Sequence, residues 1–268
     1  MFSPDVPFHT IQSIERLERV PLATRLAAGS TYELLRETAL KKPDTLCSLS
    51  AGYPSLPDEV LTAHGFLGKL HQTANLLADL GIGPQNTLAL LLPDLFETHL
   101  LLWGGQAVGI VCPLFPWLPT EHIVALLQAV KAKVLVAPGP QVSQKLWRKA
   151  ECIRLQVKSI TALLQIGGPG KERDATYAFD ALLDDYASDH LCTNRTIALD
   201  DIALYVPTTK KTSETRTLTP LTHGHMLYAA WTLSLVTMEE PMEMLLRYLS
   251  PLVNALGFLG RTSSITER

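Results

Sequence analysis

The sequence predicts an α/β protein with a largely parallel sheet and helices packed against it. Short apolar runs such as Thr87–Leu92 and Val134–Ala137 are bounded by turn-forming residues, as strands buried on both faces are. Longer amphipathic segments separate these runs. Short strands that alternate with longer helices are typical of βαβ units, in which neighbouring strands run parallel.

The individual elements follow from capping residues and apolar spacing. Ser30-Thr-Tyr-Glu33 is a capping box that starts the first helix. Thr62 caps the second helix, which Gly81 and Gly83 end. The predicted helices span about 30–41, 62–80, 95–107, 119–130, 141–157, 179–185 and 226–236. The predicted strands span about 46–49, 59–61, 87–92, 110–112, 134–137, 160–166 and 201–206.

Composition excludes several classes of function. The 268 residues are 47% hydrophobic and 7% aromatic, and the net charge of −3 gives no basic surface for nucleic acid or an anionic membrane. The four cysteines are scattered without a CxxC pair, as expected for reduced thiols in the cytoplasm. The N-terminus lacks a secretory pattern. We therefore expect a cytoplasmic protein.

Two features bear on the organisation of the chain. The apolar stretch 100–118 is about long enough to cross a membrane, but Gln106, two prolines and three glycines favour a buried helix that turns into a buried strand. The polar stretch 187–195 is the best candidate for a boundary. It divides a first α/β lobe, residues 1–190, from the start of a second lobe, residues 196–268.

Several motifs are better explained by structure than by chemistry. Gly167-Gly-Pro-Gly-Lys171 lacks the first glycine and the hydroxyl of a Walker loop, so we interpret it as a turn. His223 and His225 have no third ligand at metal spacing, and Thr222 is predicted to cap the helix that contains both. We predict no metal site.

The remaining polar pairs have the same explanation. His64 and His71 lie seven positions apart on one predicted helix and are interpreted as surface or hydrogen-bonded histidines. The pairs Asp184-Asp185 and Asp200-Asp201 are interpreted as solvated loop ends or caps. We assign no catalytic residue to any of them.

The segment 205–225 is the most informative part of the sequence. It is rich in hydroxyl side chains and stands between a predicted strand and a predicted helix, the layout of a phosphate-cradling loop. Such loops depend on glycine, which lets backbone N–H groups approach phosphate oxygens closely. Between Tyr205 and Gly224 there is no glycine. The layout therefore favours phosphate binding, while the residues in it do not.

The chain resembles the N-terminal part of the adenylate-forming superfamily, nearest to fatty-acyl-CoA synthetases. The resemblance depends on the order and spacing of moderately specific motifs from Thr31 to Gly260. These motifs are Ser30–Leu35 with Pro43-Asp44, Gln72–Pro84, Leu88–Pro93, Glu97–His99, Trp103–Gly109, Asp201–Tyr205 and Thr222–Gly224. The resemblance implies the incomplete N-terminal domain of such an enzyme, with parallel-rich sheets flanked by helices.

The resemblance also implies an activity and its cofactors. Members of this superfamily activate a fatty acid or other carboxylic acid with ATP and magnesium, and they pass the acyl group to CoA. Their signature loop resembles Thr-Gly-Gly-Thr-Thr-Gly-Thr-Pro-Lys. Aligned with it, Thr208 and Thr212 keep hydroxyls and Arg216 falls near the lysine, so these three are the candidate phosphate-binding residues. Thr209, Lys210 and Ser213 occupy the glycine positions.

Two further departures affect the expected activity. The segment Leu249–Gly257 resembles the superfamily's Leu-Pro-Leu-Phe-His-Val-Asn-Gly but lacks Phe-His, which leaves Asn254 as the candidate substrate-binding residue. Counterparts of the adenine-binding strand, the ribose-binding aspartate, the hinge and the C-terminal lid with its lysine are missing before Arg268. We therefore expect a truncated homologue that is inactive alone. The alternatives are a non-catalytic acyl- or protein-binding module, or one part of a split enzyme whose remainder is separately encoded.

Overall fold

The structure of the chain is a computed structural model. The structure describes residues 28–49, 59–93, 95–168, 172–173, 175–209 and 216–237, with the short pieces 11–12, 19, 24, 26, 242 and 245–246. The helices are α1 (Thr31–Lys41), α2 (Ala63–Asp79), α3 (Phe96–Val108), α4 (Thr120–Ala129), α5 (Pro140–Gln156), α6 (Phe179–Leu183) and α7 (His223–Thr237). The strands are β1 (Leu46–Leu49), β2 (Glu59–Thr62), β3 (Thr87–Leu90), β4 (Ile110–Pro113), β5 (Val134–Pro138), β6 (Ala162–Ile166), β7 (Glu172–Arg173), β8 (Thr176–Ala178), β9 (Ile202–Thr209) and β10 (Arg216–Thr222).

Eight of the strands form one sheet in the order β10-β9-β4-β3-β5-β6-β8-β7. Neighbouring strands from β9 to β8 run parallel, and the outer strands β10 and β7 pair antiparallel with β9 and β8. Strands β1 and β2 form a separate antiparallel pair. The predicted α/β class with a parallel-rich sheet is confirmed.

Two hydrophobic cores lie on opposite faces of this sheet. Leu88 and Leu90 of β3 belong to the core beneath α1, α2 and α3, whereas Ala89 and Leu91 belong to the core beneath α4 and α5. Because successive side chains of a strand point to opposite faces, a central strand with a helical layer on each side must be apolar throughout. This explains the unbroken apolar run at 87–92.

Helix boundaries agree with the caps that the sequence predicts. The Ser30 hydroxyl accepts a hydrogen bond from the Glu33 amide at 3.1 Å, and the Thr62 hydroxyl accepts one from the Gly65 amide at 3.1 Å. The capping box differs in one detail, since the Glu33 carboxylate accepts from the Gly29 amide at 2.6 Å. Glu33 thereby orders the residue that precedes the cap.

Residues 100–115 of the apolar stretch 100–118 are buried in the fold, as expected, whereas Trp117 is exposed. The stretch comprises most of α3, all of β4 and the start of the following loop, and Trp103 and Val111 are fully buried within it. Among the described residues, no helix is long and apolar enough to cross a membrane.

Two predictions of local structure were wrong. No strand is predicted between the strand at 160–166 and the helix at 179–185, but the short strands β7 and β8 lie there and add to one edge of the sheet. The segment predicted to run from a strand through a loop directly into a helix contains a second strand, β10. Both β9 and β10 belong to the same sheet as β3 to β6. The division of the chain into lobes at 187–195 stays a prediction.

Gly109 lies where α3 meets β4 and allows a close approach to the loop before β3. A Cβ atom at this position would lie 2.5 Å from Ile82 Cγ2, 2.9 Å from the Asn86 carbonyl oxygen and 3.0 Å from the Gly83 carbonyl oxygen. Backbone oxygens cannot move aside as the end of a side chain can. An alanine at position 109 would therefore displace either the junction of α3 and β4 or the loop before β3.

We expect Gly109→Ala to lower the free energy of unfolding by about 1–3 kcal/mol, the usual cost of overpacking. Gly68→Ala in α2 is the matched control. Its Cβ would lie 3.6 Å from Ser188 Cβ, an ordinary contact, and alanine is the better helix former by up to about 1 kcal/mol. Urea denaturation of both variants measures the difference. Equal stabilities would contradict the packing argument.

Candidate functional site

The hydroxyl-rich segment forms an antiparallel hairpin. The register pairs Thr209 with Arg216, Thr217 with Thr208 and Pro220 with Tyr205. The turn between the strands, residues 210–215, lies outside the described residues. The predicted loop is therefore confined to six residues between paired strands, and α7 follows β10 directly.

Thr208 is the only candidate phosphate-binding residue whose side chain the structure describes. Its hydroxyl donates to the Thr217 carbonyl oxygen at 3.3 Å and lies 2.9 Å from the Thr219 hydroxyl. A hydroxyl has a single proton to donate. The proton of Thr208 is therefore engaged within the hairpin.

The structure does not describe the side chains of the other candidate residues. Thr212 and Asn254 lie outside the described residues, and Arg216 is described only in its backbone, as the first residue of β10. Their assignment as phosphate and substrate contacts stays a prediction. Among the described residues, no group of three His, Cys, Asp or Glu side chains is placed to hold a metal ion.

The hairpin joins the parallel sheet through β9, which pairs with β4 at Leu204 and Val111. In open α/β sheets, ligands bind beyond the carboxyl ends of the strands, near the point where strand order reverses. Here that point lies between β3 and β5. The residues that follow these strands, Leu91-Leu92-Pro93 and Gly139-Pro140, offer no polar side chain.

The start of α7 agrees with the cap predicted at Thr222. The Thr222 hydroxyl accepts from the His225 amide at 3.2 Å, and His225 Nδ1 accepts from the Thr222 amide at 3.1 Å. His223 instead points into the core. The two histidines of the motif therefore have separate structural roles.

His223 joins α7 to α1 and α3 through a buried polar network that the sequence did not reveal. Its Nδ1 accepts from the Thr31 amide at 3.3 Å and lies 2.9 Å from the Thr31 hydroxyl. That hydroxyl donates to Gln106 Oε1 at 3.0 Å. All three side chains are buried. The signal in the sequence was weak, because a histidine and a threonine 192 positions apart show no periodicity.

Burial lowers the pKa of His223 to about 4, and the positive charge of Arg195 acts in the same direction, while Asp201 opposes it. Protonation of Nδ1 would also remove the acceptor that the Thr31 amide uses. Arg195 in turn contacts Asp201 at 3.4 Å, and Asp201 also accepts from the Ala198 amide at 3.2 Å. Asp201, from one of the predicted carboxylate pairs, therefore serves as a structural anchor.

The remaining sequence candidates are structural as well. His71 is buried, with Tyr32 Oη at 3.1 Å and the Ser188 carbonyl oxygen at 2.8 Å from its ring nitrogens. His64 is exposed. Asp184 pairs with Lys69 at 3.0 Å on the surface, and this hydrogen bond lowers the pKa of Asp184.

The glycine motif at 167 forms a turn at its described end. Gly167 has a φ of +69°, which glycine tolerates best, and its amide donates to the Asp180 carboxylate at 2.7 Å. Residues 169–171 lie outside the described residues. A carboxylate of the chain itself therefore takes the amide that a phosphate loop would offer to its ligand.

Comparison with known proteins gives a consistent result. No protein-family model matches the chain. Over 171 residues, 62% of this chain, the sequence is 32% identical to the marinolic acid–CoA ligase of a Pseudoalteromonas species. By sequence, the chain resembles an acyl-CoA ligase of the adenylate-forming superfamily. It spans about a quarter of that relative, since the match covers 26% of the curated protein.

The fold of this chain matches that of solved CoA-ligase structures. A long-chain-fatty-acid–CoA ligase from Archaeoglobus fulgidus superposes with a TM-score of 0.65 at 15% identity, covering 80% of this chain and 40% of its own. The N-terminal domain of a Mycobacterium tuberculosis protein, crystallised with an inhibitor, gives a TM-score of 0.62 at 19% identity, with 77% and 48% covered. The anthranilate CoA ligase in complex with anthranoyl-AMP gives 0.64 at 16%, with 80% and 38% covered.

Proposed function

We propose that this chain is a portion of an AMP-forming acid–CoA ligase in which the hairpin of β9 and β10 takes the place of the ATP-phosphate loop. Sequence similarity to a CoA ligase and the ligase-type N-terminal fold support this assignment. The order of motifs from Ser30 to Gly224 agrees with it. The substrate class is a carboxylic acid, with ATP, magnesium and CoA as the other reactants.

We infer that the 268-residue chain does not form acyl-adenylates by itself. The observation that carries this inference is the sequence of residues 209–213. Thr209, Lys210 and Ser213 stand at positions where the superfamily has glycine, and a left-handed conformation costs a non-glycine residue about 1–2 kcal/mol. Their side chains would also hold phosphate oxygens away from the backbone amides.

The described backbone supports the same conclusion. Thr209 continues β9 opposite Arg216 and has no positive φ, so it has strand geometry. The Thr208 proton is engaged within the hairpin. Lys210, Lys211 and Arg216 would attract phosphate as charges, but attraction by flexible side chains is not the preorganised contact that phosphoryl chemistry requires.

An ATP–pyrophosphate exchange assay tests this function. We expect no exchange above background when the purified chain is mixed with ATP, magnesium and fatty or aromatic acids. An intact CoA ligase assayed in parallel shows that the conditions permit exchange. Measurable exchange by this chain would overturn the inferred inactivity.

A binding measurement on the same samples separates the second candidate function. Calorimetric titration with an acyl-adenylate analogue and with the free acids reports binding without turnover. Saturable binding combined with absent exchange would favour the non-catalytic binding module. Absence of both would leave the chain as a part that needs a separately encoded remainder, and co-expression with C-terminal ligase domains tests that.

A further inference from the structure

The loop from Tyr186 to Cys192, which we call the 186–192 loop, is fixed to α2 by Asn75. The buried Asn75 amide nitrogen donates to the carbonyl oxygens of Ala187 at 3.0 Å and His190 at 2.9 Å. The Asn75 side-chain oxygen accepts from the Cys192 amide at 2.7 Å. One buried side chain therefore holds the loop backbone at three points.

Two more residues of α2 extend this attachment. His71 Nδ1 lies 2.8 Å from the Ser188 carbonyl oxygen, and Gln72 Nε2 donates to the Tyr186 carbonyl oxygen at 3.3 Å. Both side chains are buried. Because α2 lies in the core, the loop backbone is held in place although Asp189, His190 and Cys192 are exposed. The backbone positions of Asp189, His190 and Cys192 are therefore set by the fold.

In the 186–192 loop, the imidazole of His190 lies between the carboxylate of Asp189 and the thiol of Cys192. Asp189 Oδ1 lies 2.8 Å from His190 Nδ1, and His190 Nε2 lies 3.9 Å from Cys192 Sγ. The hydrogen bond from His190 lowers the pKa of Asp189. A carboxylate that accepts from Nδ1–H leaves Nε2 as a bare acceptor that faces the thiol. The side chains are accessible, with 83% of Asp189 and 62% of His190 exposed.

We propose that Cys192 is a nucleophilic thiol, assisted by His190 and Asp189, that reacts with low-molecular-weight disulfides. His190 Nε2 accepts the thiol proton, and the Cys192 sulfur attacks one sulfur of the disulfide. The S–S bond breaks, a mixed disulfide forms at Cys192, and the departing thiolate takes up the proton. The disulfide is both the oxidant and the source of the leaving group. A base that orients and deprotonates a thiol is the common arrangement of activated cysteines.

The other cysteines supply internal comparisons. Cys152 on α5 is also exposed, but its sulfur accepts from the amide of Gln156 at 3.6 Å, and an amide is no base. Cys47 and Cys112 are buried, and burial raises the pKa of Cys112 to about 12. Accessibility alone therefore does not distinguish Cys192 from Cys152, whereas the neighbouring imidazole does.

Reaction with dithiodipyridine near neutral pH tests the proposal on the full chain. The Cys152→Ser protein reports on Cys192, and the Cys192→Ser protein reports on Cys152. We expect Cys192 to react at least about tenfold faster, a modest general-base effect. Adding His190→Gln to the Cys152→Ser protein should reduce the rate to that of Cys152, and Asp189→Asn should give an intermediate rate.

The pH dependence distinguishes a base from a structural residue. With His190 present, we expect the Cys192 rate to extend to lower pH than the Cys152 rate, and His190→Gln should restore the Cys152 profile. The groups that face the pair are Asp189 and His71, with Arg36 acting on His71. Circular dichroism verifies folding. Equal rates for the two cysteines, or no effect of His190→Gln, would overturn the proposal.

Discussion

Glycine at positions 209, 210 and 213 is expected to raise the affinity of this chain for ATP by at least about tenfold, since a left-handed backbone costs a non-glycine residue about 1–2 kcal/mol at each position. The combined Thr209→Gly, Lys210→Gly and Ser213→Gly variant removes the side chains that we infer block the approach of backbone amides to phosphate. It also removes one positive charge, which should weaken ATP binding. A gain in affinity would therefore come from the backbone. Calorimetric titration with Mg·ATP measures it.

The matched control keeps the charge change and leaves the other positions unaltered. Lys210→Ala removes the same charge without creating a glycine, so we expect ATP binding no tighter than in the unmodified chain. An unmodified chain that already binds Mg·ATP tightly, or a glycine variant with unchanged affinity, would contradict the steric explanation.

Acid is expected to destabilise the fold through His223. Burial lowers the folded-state pKa of His223 from its ordinary 6.5 to about 4, so the unfolded chain binds a proton first as the pH falls. The stabilising contribution of the neutral ring is complete above the unfolded pKa and is lost progressively between the two values. Between about pH 7 and about pH 5 the free energy of unfolding should fall by roughly 2 kcal/mol from this residue.

Two variants isolate this contribution from that of other titrating groups. His223→Gln should flatten the pH dependence in that window while lowering stability at neutral pH, because the buried network loses its ring. His225→Gln alters the exposed histidine of the same helix start and should keep the slope of the unmodified chain. Urea denaturation across the pH range measures both. Parallel curves for the His223 variant and the unmodified chain would show that another group is responsible.

Regular elements were predictable from the sequence because their signals are local. The unbroken apolar run at 87–92 and the cap at Thr62 each depend on a few neighbouring residues, and both predictions agree with the structure. Strand β10 was missed although its residues, Arg-Thr-Leu-Thr-Pro-Leu-Thr, partly alternate between polar and apolar. The hydroxyl content of the segment favoured a loop, and the pairing with β9 outweighed that preference.

The sequence by itself determined the α/β class, the helix boundaries and the unusual composition of the turn at 210–215. Only the tertiary structure placed His223 against Thr31 and the His190–Cys192 pair against Asn75. These contacts join residues more than a hundred positions apart, so neither periodicity nor capping signals them. They form because a buried polar group must find a partner wherever the folded backbone brings one within reach.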